Sequence, residues 1–393
     1  MSYVNALTGS AALVALIVSG SGVAALAQDQ PRRVEPRVLW KHAPEGAEFE
    51  GVIAHRGVVY ALDRAGKVQA LEAPTGEVLW TSPVAFQLRC GYGLVLSPAA
   101  DFDALLVSGE TGLTAIDRGS GELLWHTEIP QGVASPAVAG DVVVAGGFDG
   151  KIHGFKLRTG ELLYSVDYLA DRPEDPPGFS GESARLGDRP ARPGDAAADG
   201  DLVVVPVFDQ CRVIAVDAAK GERRWAYATA GWVYPCPTIG ERLVLVASQD
   251  KHLHAVDRQT GALVWKVKAR ARNEGAAVIA DGRAFFGSCD SRLYCVGIDS
   301  GEVAWKYETE HEKGFGAPIY SRPLVLGDKV YLAAMSGKLY VVDRRSGELV
   351  AKMTPVPDSE PNSDLAEMGG LLFLTTRKDG EKGESAVVGI AVR

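Results

Sequence analysis

The feature that most restricts this chain is a repeat. Seven segments pass through a turn ending in glycine and close four residues later, six times on an aromatic: ALEAPTGEVLW (Ala70–Trp80), AIDRGSGELLW (Ala115–Trp125), GFKLRTGELLY (Gly154–Tyr164), AVDAAKGERRW (Ala215–Trp225), AVDRQTGALVW (Ala255–Trp265), CVGIDSGEVAW (Cys295–Trp305) and VVDRRSGELVA (Val341–Ala351). The turn glycines Gly76, Gly121, Gly160, Gly221, Gly261, Gly301 and Gly347 are spaced by 45, 39, 61, 40, 40 and 46 residues. A unit of that length, made of short strands and tight turns, is a four-stranded blade of a β-propeller.

Each recurring position has a mechanical reason. Glycine suits a tight hairpin that needs a positive φ. The aspartates Asp117, Asp217, Asp257 and Asp343 suit a turn whose side chain accepts backbone N–H bonds. The small residue that opens each segment allows close approach of a neighbouring sheet, and the tryptophan supplies a flat surface to wedge between blades. Two residues before that small residue the chain is always aliphatic (Val68, Leu113, Ile152, Val213, Leu253, Leu293, Leu339). One residue after it the chain is always apolar (Leu71, Ile116, Phe155, Val216, Val256, Val296, Val342). The two sets lie on opposite faces of a strand, so each sheet is expected to be buried on both sides.

Beyond Ala351 the chain offers two more strand-like runs, Leu371 to Thr376 and Ala386 to Val392, but no glycine–aromatic ending. That ending stands at the other terminus as Val38-Leu39-Trp40. The expected fold is therefore all-β, an eight-bladed propeller spanning residues 36–393 and closed by an N-terminal strand that removes its free edge. The structural docking residues are Trp40, Trp80, Trp125, Trp225, Trp265 and Trp305. The spacing of 61 marks an insertion over about 171–200, rich in Pro, Gly, Asp and Arg. It reads as a surface loop, or as a lid ordered by a partner.

Before the first blade, an apolar run from Ala11 to Val18, a softer Ser-Gly stretch and Ala25-Leu26-Ala27 read as a signal peptide, residues 1–27, cut after Ala27. Residues 28–35 then form a short linker, and the mature chain is expected in the periplasm or secreted, with no transmembrane helix. The first cysteine is Cys90, so a lipid anchor at that cut is not expected. The five cysteines (Cys90, Cys211, Cys236, Cys289, Cys295) form no C-x-x-C. Cys289 and Cys295 either pair across a hairpin or are two small sheet residues. The 41 basic and 50 acidic side chains leave a formal charge of −9, which argues against a nucleic-acid partner.

The pattern A-x-D-x-x-T-G-x-x-x-W, complete in Ala255–Trp265, resembles the tryptophan-docking repeat of the pyrroloquinoline-quinone (PQQ) propeller family. That family includes quinoprotein dehydrogenases and a BamB-like non-enzymatic branch that works in outer-membrane assembly. The enzymatic branch implies PQQ, a Ca²⁺ ion and an Asp base. Here there is no adjacent Cys-Cys pair and no haem motif, and Asn273-Glu274 is the one neighbouring pair that hints at Ca²⁺ ligands.

Candidate binding residues fall in the loops. A basic or His residue recurs between second and third strands (Lys67, Lys151, Arg212, His252, Arg292, Lys338), with Asp149, Asp209, Asp250 and Asp290 nearby. These read as charges pairing locally, or as an anion-binding ring. His252 and His254 offer two imidazoles with no third ligand apparent, so no metal site is assigned. The inter-blade loops carry Arg89, Trp232, Tyr234, Arg272, Asn273, His311 and Phe315, the residue types that dominate protein interfaces, or that plug an axial channel. Trp232 is the one tryptophan outside the docking register. The expectation is a monomeric, cofactor-free scaffold with no catalytic residue, binding an envelope protein. The alternative is a PQQ- and Ca-dependent alcohol or sugar dehydrogenase.

Overall fold

A computed structural model describes residues 35–83, 94–96, 102–168, 192–310, 317–378 and 383–392. The strands form eight antiparallel sheets arranged as blades. Blade 5 is typical: Thr238–Ile239 innermost, then Leu243–Ala247 and His252–Asp257, with Leu263–Lys268 outermost. Blades 1 to 7 occupy residues 49–81, 94–128, 137–167, 197–228, 238–268, 278–308 and 324–353. In blade 8 two short strands, Ser359–Pro361 and Ala366–Met368, both pair with Leu371–Lys378, followed by Ala386–Ala391. Its outermost strand is Arg37–His42, antiparallel to Ala386–Ala391, which closes the ring as the sequence predicts.

The core is divided among the junctions. Among the described residues eight hydrophobic clusters occur, each drawn from two adjacent blades. The two apolar sets of the repeat are all buried, Val68, Leu113, Val213 and Leu253 completely so. Each such side chain contributes roughly 1.5–3 kcal/mol of burial.

The tryptophans dock as expected, and the geometry adds what they dock on. Each ring lies over the turn glycine of the next blade: Trp40 on Gly76, Trp80 on Gly121, Trp125 on Gly160, Trp225 on Gly261, Trp265 on Gly301 and Trp305 on Gly347. A Cβ built on Gly301 would stand 2.8 Å from the Trp265 ring. The glycine therefore serves as a seat as well as a positive-φ turn residue (φ +70°). The indole N–H then donates to a backbone carbonyl beside that turn, as Trp265 Nε1 does to Ile298 O at 2.8 Å. Tyr164 takes the same place in blade 3, lying on Gly221 with its hydroxyl donating to Ala218 O at 2.8 Å.

The small residue of the repeat sits directly across the ladder from the aromatic, as Ala70 opposite Trp80, Ala255 opposite Trp265 and Gly389 opposite Trp40. It makes room for the ring within its own blade. The turn aspartates accept as expected: Asp257 Oδ1 from the N–H groups of Gln259 (3.1 Å) and Thr260 (2.8 Å). Ala197–Asp199 is the innermost strand of blade 4, so the blade begins inside the stretch assigned to the insertion; residues 171–191 lie outside the described residues.

Candidate functional site

Turns between second and third strands and the loops joining blades share one face of the ring. On it the sequence places an aromatic group at blades 4 and 5. After Leu202–Val207 the chain makes a 3₁₀ turn, Phe208–Gln210, ended by Cys211 at φ +53°. The Phe208 N–H donates to Arg192 O at 2.8 Å, fixing the turn to the segment that enters the blade. The loop from blade 4 to blade 5 then runs through Trp232-Val233-Tyr234, in which Val233 is fully buried and its neighbours are partly or largely exposed. Phe208 meets Trp232 at 4.7 Å between ring centroids and Tyr234 edge-on at 5.2 Å. Pro235 and Pro237 stiffen the remainder of the loop.

Tyr234 is 56% exposed. Trp232 is only half-exposed, and its Nε1 is buried without a hydrogen-bond partner. Asn273 needs correction as a contact residue: it is fully buried, and neither amide atom is bonded. Its neighbours in the loop are paired. The Arg272 Nε meets Glu274 Oε1 at 2.7 Å, and Gln249 Nε2 donates to the same oxygen at 2.8 Å. Arg272 remains half exposed. Arg89, His311 and Phe315 lie outside the described residues.

Three of the six recurring bases are engaged locally. Arg292 pairs with Glu308 at 2.6 Å and Lys338 with Glu310 at 3.0 Å, while Arg212 is buried and donates to Tyr168 O.

Nearer the axis, residues from different blades meet in a group the sequence does not announce. Arg322 of the loop entering blade 7 reaches Ala277 O with Nε and Thr238 Oγ1 with Nη2, both at 3.2 Å. Its own N–H donates to Asp364 Oδ1 of blade 8 at 2.7 Å. Asp195 is hydrogen-bonded to Ser135; burial pushes its carboxyl up to about 6, and the Asp364 charge adds to the rise. Burial likewise pushes Cys236 up to about 12 and Cys289 up to about 11. Thiols held that far from the thiolate are poor nucleophiles. Cys211, Cys236, Cys289 and Cys295 are all free, so Cys289 and Cys295 do not pair.

In blade 5, Asp250 supplies the third donor beside His252 and His254 that the sequence did not reveal. Burial raises the Asp250 carboxyl, but the hydrogen bond and charge of His254 and two backbone N–H groups outweigh it and hold it at about 2. Between the aromatic group and the paired charges, this face offers binding contacts more than reacting ones.

The family profile described as outer membrane protein assembly factor BamB matches residues 20–193 and 182–384. A relative of that description from Yersinia pestis is 26% identical over 58% of this chain; the chain covers 60% of its length. The crystal structure of BamB from Moraxella catarrhalis superposes with a TM-score of 0.67 at 14% identity, covering 91% of this chain and 97% of the other. A europium-containing methanol dehydrogenase superposes with a TM-score of 0.70 at 13% identity, covering 91% and 93%. At such identities the structures share the fold alone.

Proposed function

Because the chain belongs to the outer membrane protein assembly factor BamB family, we propose that it is an exported, non-catalytic propeller that holds a protein of outer-membrane assembly on its loop face. The observation that carries this reading is the stack of Phe208, Trp232 and Tyr234, which presents a rigid, exposed tyrosine from a fixed ring. Aromatic anchors of this kind supply contact area at low entropic cost. The reading includes removal of residues 1–27 and a periplasmic or secreted mature chain. No helix among the described residues is long and apolar enough to cross a membrane. The role requires no cofactor.

The test is photo-cross-linking in the native host. A photoreactive residue at position 234 of the full chain is expected to trap one discrete envelope protein. The same residue at position 163, on the exposed outer strand of blade 3, is expected to trap none. Equal labelling from both positions, or none from 234, removes the docking assignment. For the dehydrogenase alternative, PQQ with Ca²⁺ is added to purified protein. The proposed role predicts no change in absorbance or melting temperature, and dye-linked alcohol oxidation would overturn it.

A further inference from the structure

Blade 5 carries a donor set that its fold does not require. In blades 3, 5 and 6 an aspartate in the turn between second and third strands accepts a bond from the side chain four residues later. Asp149 accepts from His153 at 3.0 Å, Asp250 from His254 at 2.9 Å and Asp290 from Tyr294 at 2.5 Å. This contact ties the turn to its strand and works as well with a phenol as with an imidazole. The residue between is Lys151 in blade 3, Arg292 in blade 6 and His252 in blade 5. The turn thus has no need of histidine there.

His252 Nδ1 lies 3.3 Å from Asp250 Oδ1 and 3.0 Å from the Asp250 carbonyl oxygen. One ring nitrogen of His252, one of His254 and a carboxylate oxygen of Asp250 all lie within 4.8 Å of one another, the one such group among the described residues. We propose that Asp250, His252 and His254 bind one divalent transition-metal ion of the zinc class on the loop face of blade 5.

Ligands about 2.0–2.2 Å from one ion stand roughly 3.0–3.4 Å apart. Measured to the one oxygen Asp250 Oδ1, His254 Nε2 stands at 3.1 Å and His252 Nδ1 at 3.3 Å, so both imidazoles meet that requirement toward a shared carboxylate oxygen. Two imidazoles and one carboxylate select zinc, copper, nickel or cobalt over magnesium or calcium. The second shell is in place: His254 Nδ1 lies 2.9 Å from the Tyr227 hydroxyl of blade 4. On binding, Nε2 gives its lone pair to the ion, and the ring's single proton is carried on Nδ1, where the Tyr227 oxygen accepts it. His254 and Asp250 are buried, whereas the His252 side chain is 20% exposed and leaves the fourth position open to solvent. Three protein ligands with one open position form a site that a ligand from outside can complete.

The experiment is a Zn²⁺ titration of the metal-stripped mature protein, followed by calorimetry and by thermal unfolding. One equivalent is expected to bind, raise the melting temperature, and be removed by a chelator. His252→Lys installs the residue that blade 3 carries. It is expected to leave the metal-free melting temperature unchanged and to abolish the stoichiometric binding. Absence of stoichiometric binding in the wild type, or its survival in His252→Lys, overturns the proposal.

Discussion

At the junction between blades 5 and 6, Trp265 stands opposite Ala255, rests on Gly301 and is tied by its N–H to Ile298 O. At the junction between blades 7 and 8 the corresponding residue is Ala351, and opposite it stands Val341. Large faces small in both ladders, but the order is reversed. The reason lies in what each outer strand meets. Trp265 faces the hairpin between the third and outer strands of blade 6. Ala351 faces blade 8, whose outer strand Arg37–His42 comes from the other end of the chain, so no hairpin glycine is there to receive a ring. The seam is held instead by a buried cluster including Tyr331, Leu339, Leu372 and Ile390, and near the axis by the Arg322 N–H on Asp364. Docking seals hairpins; closure is the work of a strand.

The largest effect should come from removing that strand. Deleting residues 28–42 exposes the edge of Ala386–Ala391 and leaves Gly76 without its ring, so the chain should aggregate or lose cooperative unfolding. Deleting 28–35 should be silent. A monomeric 43–393 fragment with an unchanged melting temperature would show that the seam between blades 8 and 1, unlike that between blades 7 and 8, needs no strand from outside its own hairpins.

Next in size, Trp265→Ala should cost about 3–5 kcal/mol in a urea titration, whereas Ala351→Gly, at the undocked seam, should cost about 1 kcal/mol or less. Equal losses would mean that the indole seat contributes nothing special.

The glycine seat can be separated from its dihedral angle. Gly301 (φ +70°) lies under Trp265, while Gly327 (φ +57°) has open space where a Cβ would stand. Alanine at Gly327 should cost only the left-handed strain of about 1 kcal/mol. Alanine at Gly301 should cost about 2–3 kcal/mol, because overpacking adds to that strain. Similar values would reduce the glycines to turn residues.

At the axis the expected effect is similar in size but depends on pH. The folded state holds the Asp195 proton up to about pH 6, the unfolded chain only to about 4. Between those values the native protein binds more protons, so stability falls as pH rises through the window and is restored on acidification. Asp195→Asn should therefore gain about 2 kcal/mol over wild type at pH 7 and almost nothing at pH 4. A pH-independent difference would show that the axial group is well solvated.

The smallest change expected is at the tie itself. Asp364→Ala should cost about 1 kcal/mol, as one hydrogen bond to a charged acceptor is lost in a partly wet site. A loss as large as that of Trp265→Ala would make the axis, not the cluster, the fastener of the seam.

The blade pattern was legible because a repeat writes the same local physics many times. Val68 and its equivalents, the turn aspartates and the terminal split could all be read from spacing. The seat of each tryptophan was not, since Gly301 and Trp265 belong to different repeats and only the ring brings them together. The candidate site was less legible still. Asn273 stands in a loop among charged neighbours, and nothing local signals that its backbone turns it inward. Arg322 and Asp195 come from loops entering blades 7 and 4 and Asp364 from a loop within blade 8, with no common pattern, so their meeting is a product of circular geometry. Asp250 was visible as a turn residue, but its place beside His252 and His254 depends on the bend of that turn.

The closing strand also bears on how the molecule is made. Among the described residues Arg37–His42 is the first strand, yet its partner Ala386–Ala391 is the last. Blades 1 to 7 can each form from contiguous sequence as it emerges, while the eighth must wait for the final strand. Until then Trp40 and the apolar face of blade 1 have no cover on one side. The ring therefore behaves as a latch set by the last of its strands to be delivered. A chain halted early keeps a sticky open arc, and one that finishes in a crowded compartment can latch onto the first strand of a neighbour instead of its own. Intermolecular exchange of this single strand is the misassembly to which such a topology is most exposed.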